Sequence, residues 1–383
     1  MTAGDDASGT PGAAGVRRGL AGVLADTTAI SMVNPETNSL LYRGYPAQEL
    51  ATRCSFEEVT YLLWHGELPD RQQLEGLQKA ERSERRVDAG LLAQLAYLPS
   101  TCHPMDVLRT AVSIMGARDA KEDDPSPAAN LDKSLRLTAK LPTVVAAEQR
   151  RRRGLPPIAP DAGLSFTENF FHMCFGSVPE AEVTHCFEVS MVLYAEHSFN
   201  ASTFTARVIT STLSDLYSSV AGAIGALKGP LHGGANEAVM GMLEEIGEPG
   251  NVEAWLASAL ASKRKIMGFG HRVYKHGDSR VPTMQAALET LALGRDASRL
   301  VELQQRLAKA MADSKGIFPN LDYPTGPAYH LMGFDVPTFT PIFVMSRVTG
   351  WTAHIMEQLS QNALIRPLSA YVGPAQRPVP ARP

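Results

Sequence analysis

Three short stretches of this 383-residue chain set acid–base side chains among glycines and prolines. Residues 268–280, GFGHRVYKHGDSR, hold two histidines, two arginines, a lysine and three glycines. That density suits a phosphate loop, a metal site or a histidine aimed at a substrate carbonyl. Gly268 and Gly270 permit close backbone approach by a ligand, and Arg272 with Lys275 could hold phosphate. Neither a dinucleotide fingerprint nor a P-loop fits, because no GxGxxG or GK[ST] follows a strand. His271 and His276 are five apart, the wrong step for two ligands on one helical face, and HExxH is absent, which argues against a metal.

Residues 229–238, GPLHGGANEA, precede the amphipathic run EAVMGMLEEIG. Pro230 ends one helix, the paired glycines free the backbone, and His232 is left a few residues before the next helix. There the helix dipole favours neutral imidazole, able to donate to an oxygen that becomes negative; the plain alternative is a histidine in a glycine turn. Residues 318–326, FPNLDYPTG, put Asp322 in a loop bracketed by Pro319, Pro324 and Gly326, where an aspartate is ordinarily a turn residue. Arg347 lies in the apolar run PIFVMSRVTGW, where a buried charge needs a partner, and Arg366 follows in LIRPLSAY. Three arginines, Arg280 included, near three acid–base candidates suit a substrate with two or more carboxylates.

The elements that must position these residues are mainly helical. Segments at Ala29–Val33 and Ser39–Arg43, split by the turn formers Asn34–Asn38, predict one hairpin. Ser55 with Glu58 predicts a capping box opening the helix FEEVTYLLWHG, closed by Gly66. Ile209, Leu213, Leu216, Val220, Ile224 and Leu227 step by three and four, predicting one long helix. Val348, Trp351, Ile355 and Leu359 repeat the pattern in a helix that Thr340 and Pro341 would start, and 122–130 reads as an exposed loop.

Composition narrows the partners. A hydrophobic content of 44% supports a sizeable core, and a net charge of −4 gives no global attraction for nucleic acid or an anionic membrane. Cys54, Cys102, Cys174 and Cys186 form no CxxC pair, pointing to a reducing, cytoplasmic setting. Residues 1–18 read as a flexible tail without the apolar core of a secretory signal, and no stretch reaches the roughly 18 apolar residues of a membrane span.

In order and spacing, PLHGGANEAV, MGFGHRVYKHGDSR, PNLDYPTG and IRPLSAYVG resemble the citrate synthase superfamily, most closely its bacterial 2-methylcitrate branch. YRGYPAQELA, CHPMDVLRTAVS and YAEHSFNASTFTARV fit as well, so the resemblance runs from about Gly19 to Gly373. It implies an all-α, two-domain fold with a small N-terminal hairpin: a large domain of residues 19–230 and 328–383, and a small one of 231–327. It also implies a homodimer that condenses an acyl-CoA with oxaloacetate, with CoA as substrate, no permanently bound cofactor and no metal.

The family's catalytic trio maps onto His232, His271 and Asp322. Its carboxylate ligands map onto His197, Arg280 and Arg347, with Arg366 reaching across from the partner subunit, and its polar pair onto Asn200 and Ser202. Arg85 is carried over as a further pocket arginine. The main chain of Ile266, Met267, Gly268, Phe269 and Gly270 is expected to hold the CoA adenine, and Lys275 and Arg150 its phosphates. Pro324-Thr325 stands where many citrate synthases have Tyr-Ser, and Pro327-Ala-Tyr-His330 resembles the methylcitrate branch. The segment between Trp351 and Arg366 is one residue shorter than in many plain citrate synthases. These departures favour propionyl-CoA, with acetyl-CoA also accepted, because one methylene changes discrimination by only about 1–3 kcal/mol. The rivals are a citrate synthase of the tricarboxylic acid cycle, an inactive CoA-binding regulatory paralogue and a metallohydrolase. Retention of all three trio residues argues against the inactive paralogue.

Overall fold

Local signals and tertiary burial agree over most of the chain. In the computed structural model, which describes residues 16–20, 22–34, 36–271, 273–274 and 277–381, they produce sixteen α-helices and one small sheet. The expected tail of residues 1–18 falls largely outside that range, as do Arg272, Lys275 and His276. The hairpin is present as β1 (Ser31–Asn34) and β2 (Ser39–Tyr42), and β3 (Tyr45–Pro46) adds a third antiparallel strand. Ser55 and Glu58 form the predicted reciprocal cap, and Gly66 ends that helix at φ 94°. No helix among the described residues is long and apolar enough to cross a membrane.

The 22-residue helix Phe339–Ser360 forms the centre, with every residue from Phe339 to Ile355 buried. The stretch covered on all sides reads apolar all round, which is why Arg347, the single charge in residues 339–355, stands out in it. It packs against the helices Phe56–His65, Pro127–Arg152, Ala181–Tyr194, Ala201–Ser211 and Leu216–Leu227. At Gly350 a Cβ would collide with the Glu196 carboxylate and the Ala195 carbonyl, so only glycine lets this helix approach the turn at 195–200. Beyond Leu227, the helices Ala235–Ile246, Val281–Leu293 and Asp322–Leu331 pack on one another, as do Val252–Ala261 and Ser298–Lys315.

Three sequence expectations are corrected. The run from Ile209 to Leu227 is two helices, Ala201–Ser211 and Leu216–Leu227, that pack side by side. Leu213 sits between them at φ 65°, 71% exposed, and Asp215 caps the second helix by accepting from the Ser218 amide. Asp322 opens the helix Asp322–Leu331 rather than lying in a loop; Pro324 falls in the first turn, where a missing N–H costs nothing. The exposed loop ends at Ser126, which caps the helix Pro127–Arg152, so Asn130 is buried.

Candidate active site

The turn between Ala181–Tyr194 and Ala201–Ser211 carries His197. Asn200 caps the second helix, its Oδ1 accepting from the amides of Ser202 and Thr203 at 3.1 Å each. From behind, Glu196 accepts from Ser31 Oγ and bonds His354 Nε2, both at 2.9 Å. Burial works against the Glu196 charge, but His354, Arg347 and Ser31 outweigh it and hold the carboxylate below its ordinary range. His197 is 7% exposed, and its Nε2 has no hydrogen-bond partner among the described residues. Burial first, then Arg280, His271 and Arg347, depress its pKa far below the usual value, so the ring is neutral. A buried, unpartnered imidazole nitrogen is costly unless a ligand completes it.

His232 sits in the glycine turn before Ala235–Ile246. At Gly233 a Cβ would lie 2.5 Å from the Leu227 carbonyl, so the turn requires glycine. His232 Nε2 is 2.8 Å from Ser202 Oγ and accepts from the Ser202 amide at 3.2 Å. An amide N–H can only donate, which assigns the ring's single proton to Nδ1. Trp351 Nε1 donates to the same Ser202 Oγ at 3.1 Å, fixing the hydroxyl beneath the ring. Burial, and secondarily Arg347, lowers the His232 pKa to about 3. The histidine is neutral, with burial the first cause and the Arg347 charge the second.

Residues 268–270 pair with 318–320, which ties the chain leading into His271 to the chain leading into Asp322. Gly270 N–H donates to the Phe318 carbonyl at 2.9 Å, and Asn320 N–H to the Gly268 carbonyl at 2.9 Å. Asn320 Nδ2 also donates to the Gly270 carbonyl at 3.0 Å. Gly268, at φ 79°, packs so close to Val239 and Tyr323 that a Cβ would stand 2.6 Å from Val239 Cγ2. This pairing occupies part of the main chain expected to hold adenine. The groups of Ile266, Met267 and Phe269 make no hydrogen bond among the described residues. His271 Nδ1 accepts from the amides of Val273 (3.1 Å) and Tyr274 (3.4 Å), which leaves the proton on Nε2. Burial first and Arg280 second pull its pKa down to about 4, so it too is a neutral donor.

Asp322 has one oxygen held: Tyr194 Oη donates to Oδ1 at 2.6 Å. Burial pushes its pKa up to about 6, against the lowering effects of Tyr194, Arg280 and Arg347. Arg280 is 5% exposed and forked onto Asp278 at 2.9 and 2.7 Å. The Asp278 Oδ2 also accepts from the Leu321 amide at 3.2 Å, tying the arginine to the segment that bears Asp322. Arg347 is 2% exposed and has no carboxylate in ion-pair range among the described residues. Its Nε donates to the Tyr194 carbonyl at 2.6 Å and its guanidinium lies 4.6 Å from the Phe343 ring centre. Two buried guanidiniums served by one close carboxylate leave room for an anionic ligand.

The structure thus brings together His197, Asn200, Ser202, His232, His271, Arg280, Asp322 and Arg347. It does not bring Arg85 or Arg150 to them. Arg85 is buried in a fork with Glu81 (2.7–3.0 Å) and donates to the carbonyls of Asp161 and Leu164, so its donors are consumed structurally. Arg150 donates to the carbonyls of Pro156 (2.5 Å) and Cys174 (3.2 Å), which commits two of its nitrogens to the fold. Arg366 lies exposed on the irregular segment after the central helix. Tyr194, Asp278 and Trp351 were missed. The Asp-x-Arg spacing of Asp278 and Arg280 was the available signal for one; Trp351 read only as part of an apolar stripe.

This helical fold with two neutral histidine donors, a raised aspartate and buried arginines defines a class. The family model "Citrate synthase, C-terminal domain" matches residues 19–368, and the chain belongs to the citrate synthase family of enzymes. A 2-methylcitrate synthase of Mycobacterium tuberculosis is 64% identical over 95% of this chain and 92% of its own length. A citrate synthase of Mycolicibacterium smegmatis is 61% identical over 94% of this chain and 96% of its own. The solved ternary complex of a Thermoplasma acidophilum citrate synthase with carboxymethyl coenzyme A and oxaloacetate aligns with TM-score 0.89 at 32% identity, covering 94% of this chain and 96% of that one.

Proposed function

We propose that this protein condenses propionyl-CoA with oxaloacetate and hydrolyses the product to 2-methylcitrate and CoA, accepting acetyl-CoA as a second substrate. The observation that supports the reading is that Asp322, His232 and His271 each feel one or both of the buried guanidiniums Arg280 and Arg347. Asp322, largely ionised at neutral pH, removes the α-proton of the thioester. His232 donates from Nδ1 to the thioester oxygen as negative charge builds there, and needs no reorganisation because Ser202 and Trp351 already hold the ring. His271 donates from Nε2 to the ketone of oxaloacetate, the enol carbon attacks, and the new alkoxide takes up a proton. Water then cleaves the thioester and releases CoA.

Arg280, Arg347 and His197 hold the carboxylates of oxaloacetate, and Asn200 with Ser202 supports His232. Arg366 of a second subunit completes the site, which makes the working form a homodimer. Residues 266–270 and Lys275, the latter outside the described residues, hold the CoA. The site lies between a large domain of residues 19–230 and 328–383 and a small one of 231–327. The 64% identity to an enzyme named for 2-methylcitrate, with the Pro324-Thr325 and Pro327–His330 departures, supports the propionyl preference. The four unpaired cysteines support a cytoplasmic setting. The test is purified protein with oxaloacetate and propionyl-CoA, following free thiol and identifying the acid by mass. Stoichiometric thiol and 2-methylcitrate are expected; absence of thiol from either acyl-CoA would leave a CoA-binding protein without catalysis.

A further inference from the structure

The short contact between Tyr194 and Asp322 spans 128 residues of chain and joins the helices Ala181–Tyr194 and Asp322–Leu331. Tyr194 is 1% exposed and ends the helix Ala181–Tyr194; its ring lies 4.0 Å from that of Phe343, centroid to centroid. Its phenol reaches Asp322 Oδ1, while its own carbonyl accepts from Arg347 Nε at 2.6 Å. The preceding carbonyl, of Leu193, accepts from Arg280 Nη1 at 3.4 Å. One short piece of chain therefore registers the carboxylate against both buried arginines. Tyr194 is the side chain that donates to the Asp322 carboxylate among the described residues.

We propose that Tyr194 is a positioning residue for the base: its hydroxyl holds Oδ1 of Asp322, turns Oδ2 toward the cleft, and stabilises the ionised carboxylate that removes the α-proton. This rests on the reading of Asp322 as the base. A carboxylate with one oxygen clamped presents the other in a single orientation, and proton transfer depends steeply on that orientation. The phenol stays protonated because burial first, and then the Asp322 charge, raise its own pKa, so it acts as a donor throughout the working range. The other groups facing Asp322 are Arg280 and Arg347, which favour its charge, and Asp278, which opposes it; Tyr329 on the same helix also senses it. Each of these remains when the hydroxyl is deleted.

The test is the pH profile of kcat/KM for wild type and Tyr194→Phe in the full-length protein. Loss of a charge-assisted hydrogen bond moves the acid limb up by about one pH unit, which makes the deficit about tenfold larger below pH 6 than above pH 8. A merely structural role lowers activity equally at all pH values, and an unmoved limb in an active Tyr194→Phe protein overturns the proposal. If that variant does not fold, 3-fluorotyrosine placed at position 194 decides: a more acidic phenol donates more strongly, the limb moves down, and an unmoved limb refutes the role. Failure of the underlying reading is separate, because it appears as turnover retained in Asp322→Asn.

Discussion

Asp322→Asn should lose turnover and gain stability together. The substitution is nearly isosteric, and the amide oxygen can still accept from Tyr194 Oη, as Oδ1 does at 2.6 Å. What disappears is a carboxylate whose pKa is pushed from 3.8 to about 6, chiefly by burial. The folded state binds that proton more tightly than the unfolded chain, so the carboxylate costs nothing below about pH 4 and its full penalty is reached above about pH 6. At roughly 1.4 kcal/mol per pKa unit, the penalty is about 3 kcal/mol, an upper figure because Asp322 is partly exposed. Urea unfolding of the two proteins should therefore coincide near pH 4 and separate in favour of Asn as pH rises to 8. Thiol release should fall by roughly 10²–10⁴ with the apparent affinity for oxaloacetate kept, because Arg280 and Arg347 are untouched. A variant that is less stable at pH 8 would refute the burial argument, and one that keeps its kcat would refute the assignment of the base.

Other outcomes follow from the same geometry. Arg347→Ala should raise KM for oxaloacetate by at least about tenfold, since a buried charge-assisted contact of this kind is worth about 1.5–3 kcal/mol; steady-state kinetics checks it. Arg85→Ala should leave KM unchanged and destabilise the fold by about 3–5 kcal/mol, because it strands the buried Glu81 carboxylate, as denaturation would show. Mixing inactive Asp322→Asn with inactive Arg366→Ala subunits should restore activity, because one hybrid site then has both Asp322 and the partner's arginine. No recovery on co-expression would place Arg366 outside the partner's site.

Much of the chemistry was legible because it sits in glycine-punctuated stretches that no helix period explains. Gly233 and Gly268 mark backbone approaches that a Cβ would block, and His232 and His271 lie one and three residues away. What pairs with what was not legible. Tyr194 reaches Asp322, and Trp351 reaches Ser202, only through tertiary packing. Arg85 and Arg150 show the converse: an arginine's type and position do not reveal that its guanidinium bonds Glu81 or main-chain carbonyls in the fold. The apolar steps of three and four ran on through the turn at Leu213 because both helices bury a face, so periodicity alone missed the break that Asp215 caps. Asp322 reads as a loop residue because Pro319, Pro324 and Gly326 bracket it, although Pro324 and Gly326 are both accommodated in the short helix it opens.

The measurement that bears most directly on the proposed function is the ratio of kcat/KM for propionyl-CoA to that for acetyl-CoA, each with saturating oxaloacetate and with the product acid identified. Turnover of both with propionyl-CoA preferred is the predicted result; a clear preference for acetyl-CoA would contradict it and make the protein a citrate synthase.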